Sequence, residues 1–132
     1  MGYRFEFDSV NKILLGRFEG RFTEELGAEF YGAIRKCSIA TDANAGIFDF
    51  SAVTQIAVSS GFVRQLAHSE PAMPDVTRRP SFFVAPTTVG FGLSRMFQIL
   101  GEPTRPLLKV VHSVAEALAE LGVQSPHFEP LE

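Results

Sequence analysis

Short apolar runs alternate with helix-capping signals along this 132-residue chain, and that alternation constrains the fold more than any other feature. In residues 3–8, Phe5 and Phe7 point one way and Arg4, Glu6 and Asp8 the other, which is the period-two signature of a half-buried strand. The polar stretch 8–12 turns the chain, and residues 13–20 read as a second strand, antiparallel to the first. Thr23 is suited to cap a helix. Glu24 and Glu25 follow in the first turn, where acids favour the positive end of the helix dipole. Leu26, Phe30, Ile34 and Cys37 recur at helical spacing, which puts Cys37 on the buried side as a core residue and ends the helix near Ser38.

The pattern then repeats. Residues 46–50 form an apolar run with one acid, Asp49, and read as a central parallel strand. Residues 51–58 read as a connector, and Ser59 or Ser60 caps a helix carrying Phe62, Val63, Leu66 and Ala67, closed by Pro71 and Pro74. Residues 81–85 are a buried strand, followed by a helix with Leu93, Met96, Phe97 and Leu100 on one side and Gly101 and Pro103 as its stop. Residues 107–111 form the last strand. Ser113 and Glu116 make a capping box for a final helix that ends at Gly122. The predicted order is β-β-α-β-α-β-α-β-α, an α/β domain with a mixed, mostly parallel sheet and four helices over residues 1–123. Residues 124–132, with two prolines and little pattern, are expected to be a flexible tail.

Composition fits one globular domain: 45% hydrophobic, 20% charged, formal net charge −3. There is no basic stripe of the kind that binds nucleic acid. A lone cysteine, the lack of a signal-peptide pattern and the lack of a long apolar run point to a cytoplasmic protein without a transmembrane segment. The chain has 13 Phe, 2 Tyr and no Trp. Packing accounts for such a set, and so does an apolar ligand pocket lined by some of it.

Catalytic and cofactor signals are weak. His68, His112 and His127 are scattered, and no His or Cys pair has metal-ligand spacing. The Gly-x-Ser-x-Gly nucleophile motif is absent. Gly90 and Gly92 open a helix, but Arg95 stands where a dinucleotide fingerprint needs its third glycine. No enzyme activity, cofactor or metal is therefore predicted. Arg95, on the side of its helix away from Leu93, Phe97 and Leu100, is a candidate contact for an anion or a partner's carboxylate. Ser59 and Ser60 sit where a helix offers unpaired N–H groups, so a phosphate added there is held locally while it recharges the surface.

The stretch Asp49-Phe50-Ser51-Ala52-Val53, followed by Ser59-Ser60-Gly61-Phe62, resembles the signature of the STAS domain family, and in particular its SpoIIAA-like branch of anti-sigma-factor antagonists. The second half matches with one residue inserted in the connector. The element order matches, and Val84-Ala85-Pro86 with Phe91-Gly92-Leu93-Ser94-Arg95-Met96-Phe97 is similar to the STAS/SEC14-type proteins of that branch. The family carries an acid just before its phosphorylatable serine, where this chain has Ala57 and Val58.

The resemblance implies a bacterial, non-enzymatic regulatory module that meets a protein partner, an anti-sigma-type kinase or similar, around Ser59, Ser60, Asp49 and Ser51. A homodimer is also among the expected assemblies. The alternative is a carrier or sensor of a small apolar, lipid-like ligand at the membrane surface, with Phe62, Phe91, Met96 and Phe97 around its pocket.

Overall fold

The computed structural model describes residues 2–73 and 78–131. Tyr3–Asp8 (β1) and Ile13–Thr23 (β2) form the antiparallel hairpin, in register from Tyr3 opposite Phe18 to Asp8 opposite Ile13. Asp8 builds the turn. Its fully buried carboxylate accepts the N–H groups of Val10 and Asn11, each at 3.0 Å, and the Asn11 side-chain amide at 2.7 Å. Glu24–Thr41 (α1), Ala45–Ala57 (β3), Ser60–Ala67 (α2), Ser81–Val84 (β4), Thr88–Gly101 (α3), Leu108–Val111 (β5), Val114–Glu120 (α4) and Glu129–Pro130 (β6) follow. The sheet order is β5-β4-β3-β2-β1-β6, with β2 to β5 parallel and β1 antiparallel to both of its neighbours.

The chain therefore has the α/β architecture that the alternation predicts. The three crossovers from β2 to β5 step one way across the sheet, and a constant crossover hand then puts their helices on one face. On that face Phe30 and Ile34 of α1 pack over Phe5, Leu14, Phe18 and Phe48, while Val63 and Ala67 of α2 meet Phe97 of α3 and Leu108. On the other face α4 covers Ile13, Leu15, Ile47, Phe82 and Val84.

Several boundaries differ from expectation. α1 continues to Thr41, and Asp42 ends it in the left-handed conformation with φ 54° and its N–H on the carbonyl of Ser38. Ser38, not Cys37, is the fully buried residue of the last turns, and Cys37 is half-buried. Burial pushes the Cys37 thiol pKa up, in keeping with a packing role. The predicted connector 51–58 is largely strand: β3 and β2 run on together to Thr23 opposite Ala57, through two register shifts. Each strand supplies the backbone partners that the other needs once β1 and β4 have ended. Pro74, expected to help close α2, lies outside the described residues; α2 ends at Ala67, before Pro71.

In the C-terminal segment, expected to be loose, residues 127–131 make specific contacts. The His127 N–H reaches Asp8 Oδ2 at 3.1 Å, Phe128 packs against the α4-side core, and Glu129–Pro130 pairs with β1. The acceptor that holds it lies more than a hundred residues away in sequence, so no local pattern announces it.

Candidate functional site

Where β2 and β3 project past the other strands, the helices above them leave a cavity of about 400 Å³. Its floor is a chain of aromatic rings in mutual contact: Phe22 and Phe50 (centroids 5.4 Å apart), Phe50 and Phe83 (5.7 Å), Phe83 and Phe97 (5.2 Å). Phe62, Val63 and Leu66 of α2 form one wall, and Gly90, Leu93 and Ser94 of α3 another. Gly27 lets α1 come close; a Cβ there would lie 3.1 Å from the Phe22 ring and 3.4 Å from Phe62. The lining residues that are also exposed, Thr54, Gln55, Pro86, Thr87 and Val89, mark the mouth. It lies at the carboxyl ends of β3 and β4, where open α/β sheets generally place ligands.

The turn that opens α2 borders this cavity through Val58 and Phe62. Ser59 is the N-cap: its Oγ accepts the Phe62 N–H at 3.1 Å, and Ser60 is the first helical residue. Both serines are exposed. The Ser59 N–H donates to Glu24 Oε2 at 2.9 Å, so a carboxylate from the first turn of α1 sits at the turn where no neighbouring acid exists in sequence. Glu24 was legible only as a helix-dipole acid; its contact with a residue 35 positions away depends on the β2–β3 arm.

The far end of α2 is held by Arg105, 5% exposed. Its guanidinium donates to the carbonyls of Leu66, Ala67 and Ser69 and to the Tyr31 hydroxyl, and stacks 4.9 Å over Phe97. These carbonyls lie in the last turn of α2 and just past it, and a cation is favourable at a helix C-terminus. An isolated arginine after Pro103 gives no sequence signal of this role.

The structure gathers some of the predicted site residues and separates others. Phe62 and Phe97 line the cavity; Phe91 and Met96 do not. Phe91 instead stacks on the His112 ring with centroids 4.4 Å apart, and Met96 packs beside Val63, Ala67 and Leu108. A helix turns about 100° per residue, so neighbours of Phe97 point elsewhere. Arg95 is exposed and donates to Gln98 Oε1 at 2.6 Å within its own helix. Asp49 is buried: it accepts the Ser51 N–H and hydroxyl and pairs with Arg17 at 3.3 Å. Because the connector is strand, Ser51 and Asp49 lie six and eight residues before the end of β3, roughly 20 and 26 Å at about 3.3 Å per residue, and the serine turn is beyond that end. They do not join Ser59 and Ser60 in one site. Among the described residues no group of three or more His, Cys, Asp or Glu side chains is placed to hold a metal, and no helix is long and apolar enough to cross a membrane.

The chain thus has a mixed sheet with three helices on one face and one on the other, and an exposed helix-opening turn beside a cavity. That fold is the STAS fold. The structure of the anti-sigma factor antagonist SpoIIAA in its unphosphorylated form superposes with a TM-score of 0.61, covering 93% of this chain and 99% of that one at 13% identity. No protein-family model matches the sequence, and no curated protein matches it.

Proposed function

We propose that this chain is a non-enzymatic regulatory module that docks a protein partner through the turn at Ser59, Ser60 and Gly61 and is switched by phosphate there. The observation that carries the reading is the exposure of both hydroxyls at the start of α2, on the fold of an anti-sigma factor antagonist. A phosphate at the turn meets the positive end of α2 and adds about two negative charges to the docking surface. On Ser59 it also stands against Glu24, whose carboxylate already holds the Ser59 N–H. Like charges so close weaken that contact, so modification both repels a partner and loosens the turn.

Incubation with a purified anti-sigma-type kinase tests the reading. Mass spectrometry should find one phosphate on Ser59 or Ser60, and the modified protein should lose affinity for its partner. A chain that stays unmodified, or that carries the phosphate elsewhere, overturns it.

The cavity favours a second reading, a carrier or sensor of a small apolar ligand. Of the 13 phenylalanines, Phe22, Phe30, Phe50, Phe62, Phe83 and Phe97 line it. The size falls in the range of small-molecule sites, roughly 300–1,000 Å³. The two readings are compatible, because α2 is at once a cavity wall and the bearer of the serine turn.

A further inference from the structure

We infer that the cavity takes a small neutral molecule, mostly apolar, with one hydrogen-bonding group that meets Ser94, and that it rejects carboxylates and phosphates. This rests on the apolar-ligand reading and names that ligand's chemistry.

The first observation is the absence of charge. Among the described residues, no Asp, Glu, Lys, Arg, His or Cys lines the cavity. An anion moving in from water leaves its hydration shell and meets no cation, a penalty so large that an acid neutralises instead. Arg105 does not relieve it. Its guanidinium lies over the Phe97 ring, is not part of the lining, and has its donors engaged by the end of α2, Thr104 and Tyr31. Tyr31 is the one titratable residue among the described lining residues, and its hydroxyl is held between Arg105 and the carbonyl of Glu70.

The second observation is Ser94. It lies nine-tenths buried on α3 and lines the cavity, and its hydroxyl has no hydrogen-bond partner among the described residues. A helical serine commonly turns back to the carbonyl four residues earlier, and this one does not. Thr87, the other hydroxyl of the α3 wall, accepts the Gly90 N–H and stands exposed at the mouth, where water competes for its proton. A hydroxyl with no protein partner, on a nine-tenths-buried residue of the cavity wall, is open to one oxygen or nitrogen of a ligand in place of water.

Calorimetric titration of the full chain with 1-decanol and with decanoate, at about pH 8 and about pH 6, tests the inference. Decanol should bind equally at both values. Decanoate should be weaker on the order of a thousandfold at the higher pH, because it enters only as the neutral acid, and should gain about tenfold per unit of acidification. Ser94→Ala should weaken decanol binding about 3- to 10-fold with an unchanged melting temperature. Decanoate matching decanol at the higher pH overturns neutrality and leaves the apolar-ligand reading standing. Failure of both to bind overturns that reading as well. Decanol affinity untouched by Ser94→Ala overturns the anchor.

Discussion

Where the first five strands lie side by side, Leu14, Leu15, Phe18, Ile47, Phe82 and Val84 are no more than 2% exposed. Where only β2 and β3 continue, Phe22, Phe50, Val53 and Ile56 remain partly exposed around the cavity. The residue types are alike, so hydrophobicity does not separate the two regions; layering does. At the packed end helices lie on both faces of the sheet. At the margin of that end, still within the five-strand register, the α4 side of the sheet carries Glu6, Arg17 and Asp49 in ion pairs instead of an apolar surface. Apolar residues in the arm therefore close over from one side alone. In a fold whose stability comes from the closed half, the open half is free to carry a binding function.

The largest effect expected from this contrast is on stability. Phe82→Ala removes a ring from the closed end and should cost about 3–5 kcal/mol in urea unfolding. Phe50→Ala, at a wall that already borders open space, should cost about 1–2 kcal/mol. Equal losses would mean that the arm is packed as tightly as the core, and the distinction between the two regions would fall.

That contrast also divides what the sequence reveals from what it hides. The packed end is legible because its signals are local: alternation in 3–8 and helical spacing from Leu26 to Ile34. The helix caps Thr23, Ser59 and Ser113 are local signals too, each accepting an N–H three residues on. The arm is not, because Ser51, Ala52, Thr54 and Gln55 are exposed and read as a connector; only pairing with residues 19–23 makes them strand. Of the pocket residues, Phe62 and Phe97 were identified by type and spacing. Phe91 and Met96 share a helix with Phe97 but face elsewhere, and Phe22, Phe50 and Phe83 reach the cavity from three different strands. Arg105 and Glu24 act on α2 through contacts 38 and 35 positions apart, which a linear pattern does not encode.

A smaller effect should come from the turn that ties hairpin to tail. Burial raises the pKa of the Asp8 carboxyl, but its hydrogen bonds from Asn11, His127 and Val10 outweigh that and hold it below the usual value. The folded pKa is thus depressed. Its stabilisation is complete above the unfolded carboxylate range and is lost as pH falls through the lowered folded value. Asp8→Ala should cost about 2–3 kcal/mol near neutrality, with buried donors left unpaired. The variant should also lose less stability than the native chain on acidification. Urea midpoints from neutral to strongly acid pH measure both. Parallel pH curves would show that Asp8 does not anchor the closed end.

The smallest effect concerns the wall that α2 presents. Arg105 pins one end of this helix from a buried position, whereas at the other end Ser59 is tied to Glu24 by an exposed contact. Exposed interactions of this kind contribute little to global stability. Glu24→Gln should therefore shift the unfolding free energy by less than about 0.5 kcal/mol. Amide exchange in the first turn of α2 should nonetheless quicken, while the first turn of α4, capped by Ser113, stays unchanged. Local opening and global unfolding are separable quantities, and hydrogen exchange with urea titration reads the two side by side. If Glu24→Gln instead lowers global stability as much as Phe50→Ala, then the serine turn belongs to the cooperative core. It then cannot move independently, and the wall beside the cavity opens only when the whole domain does.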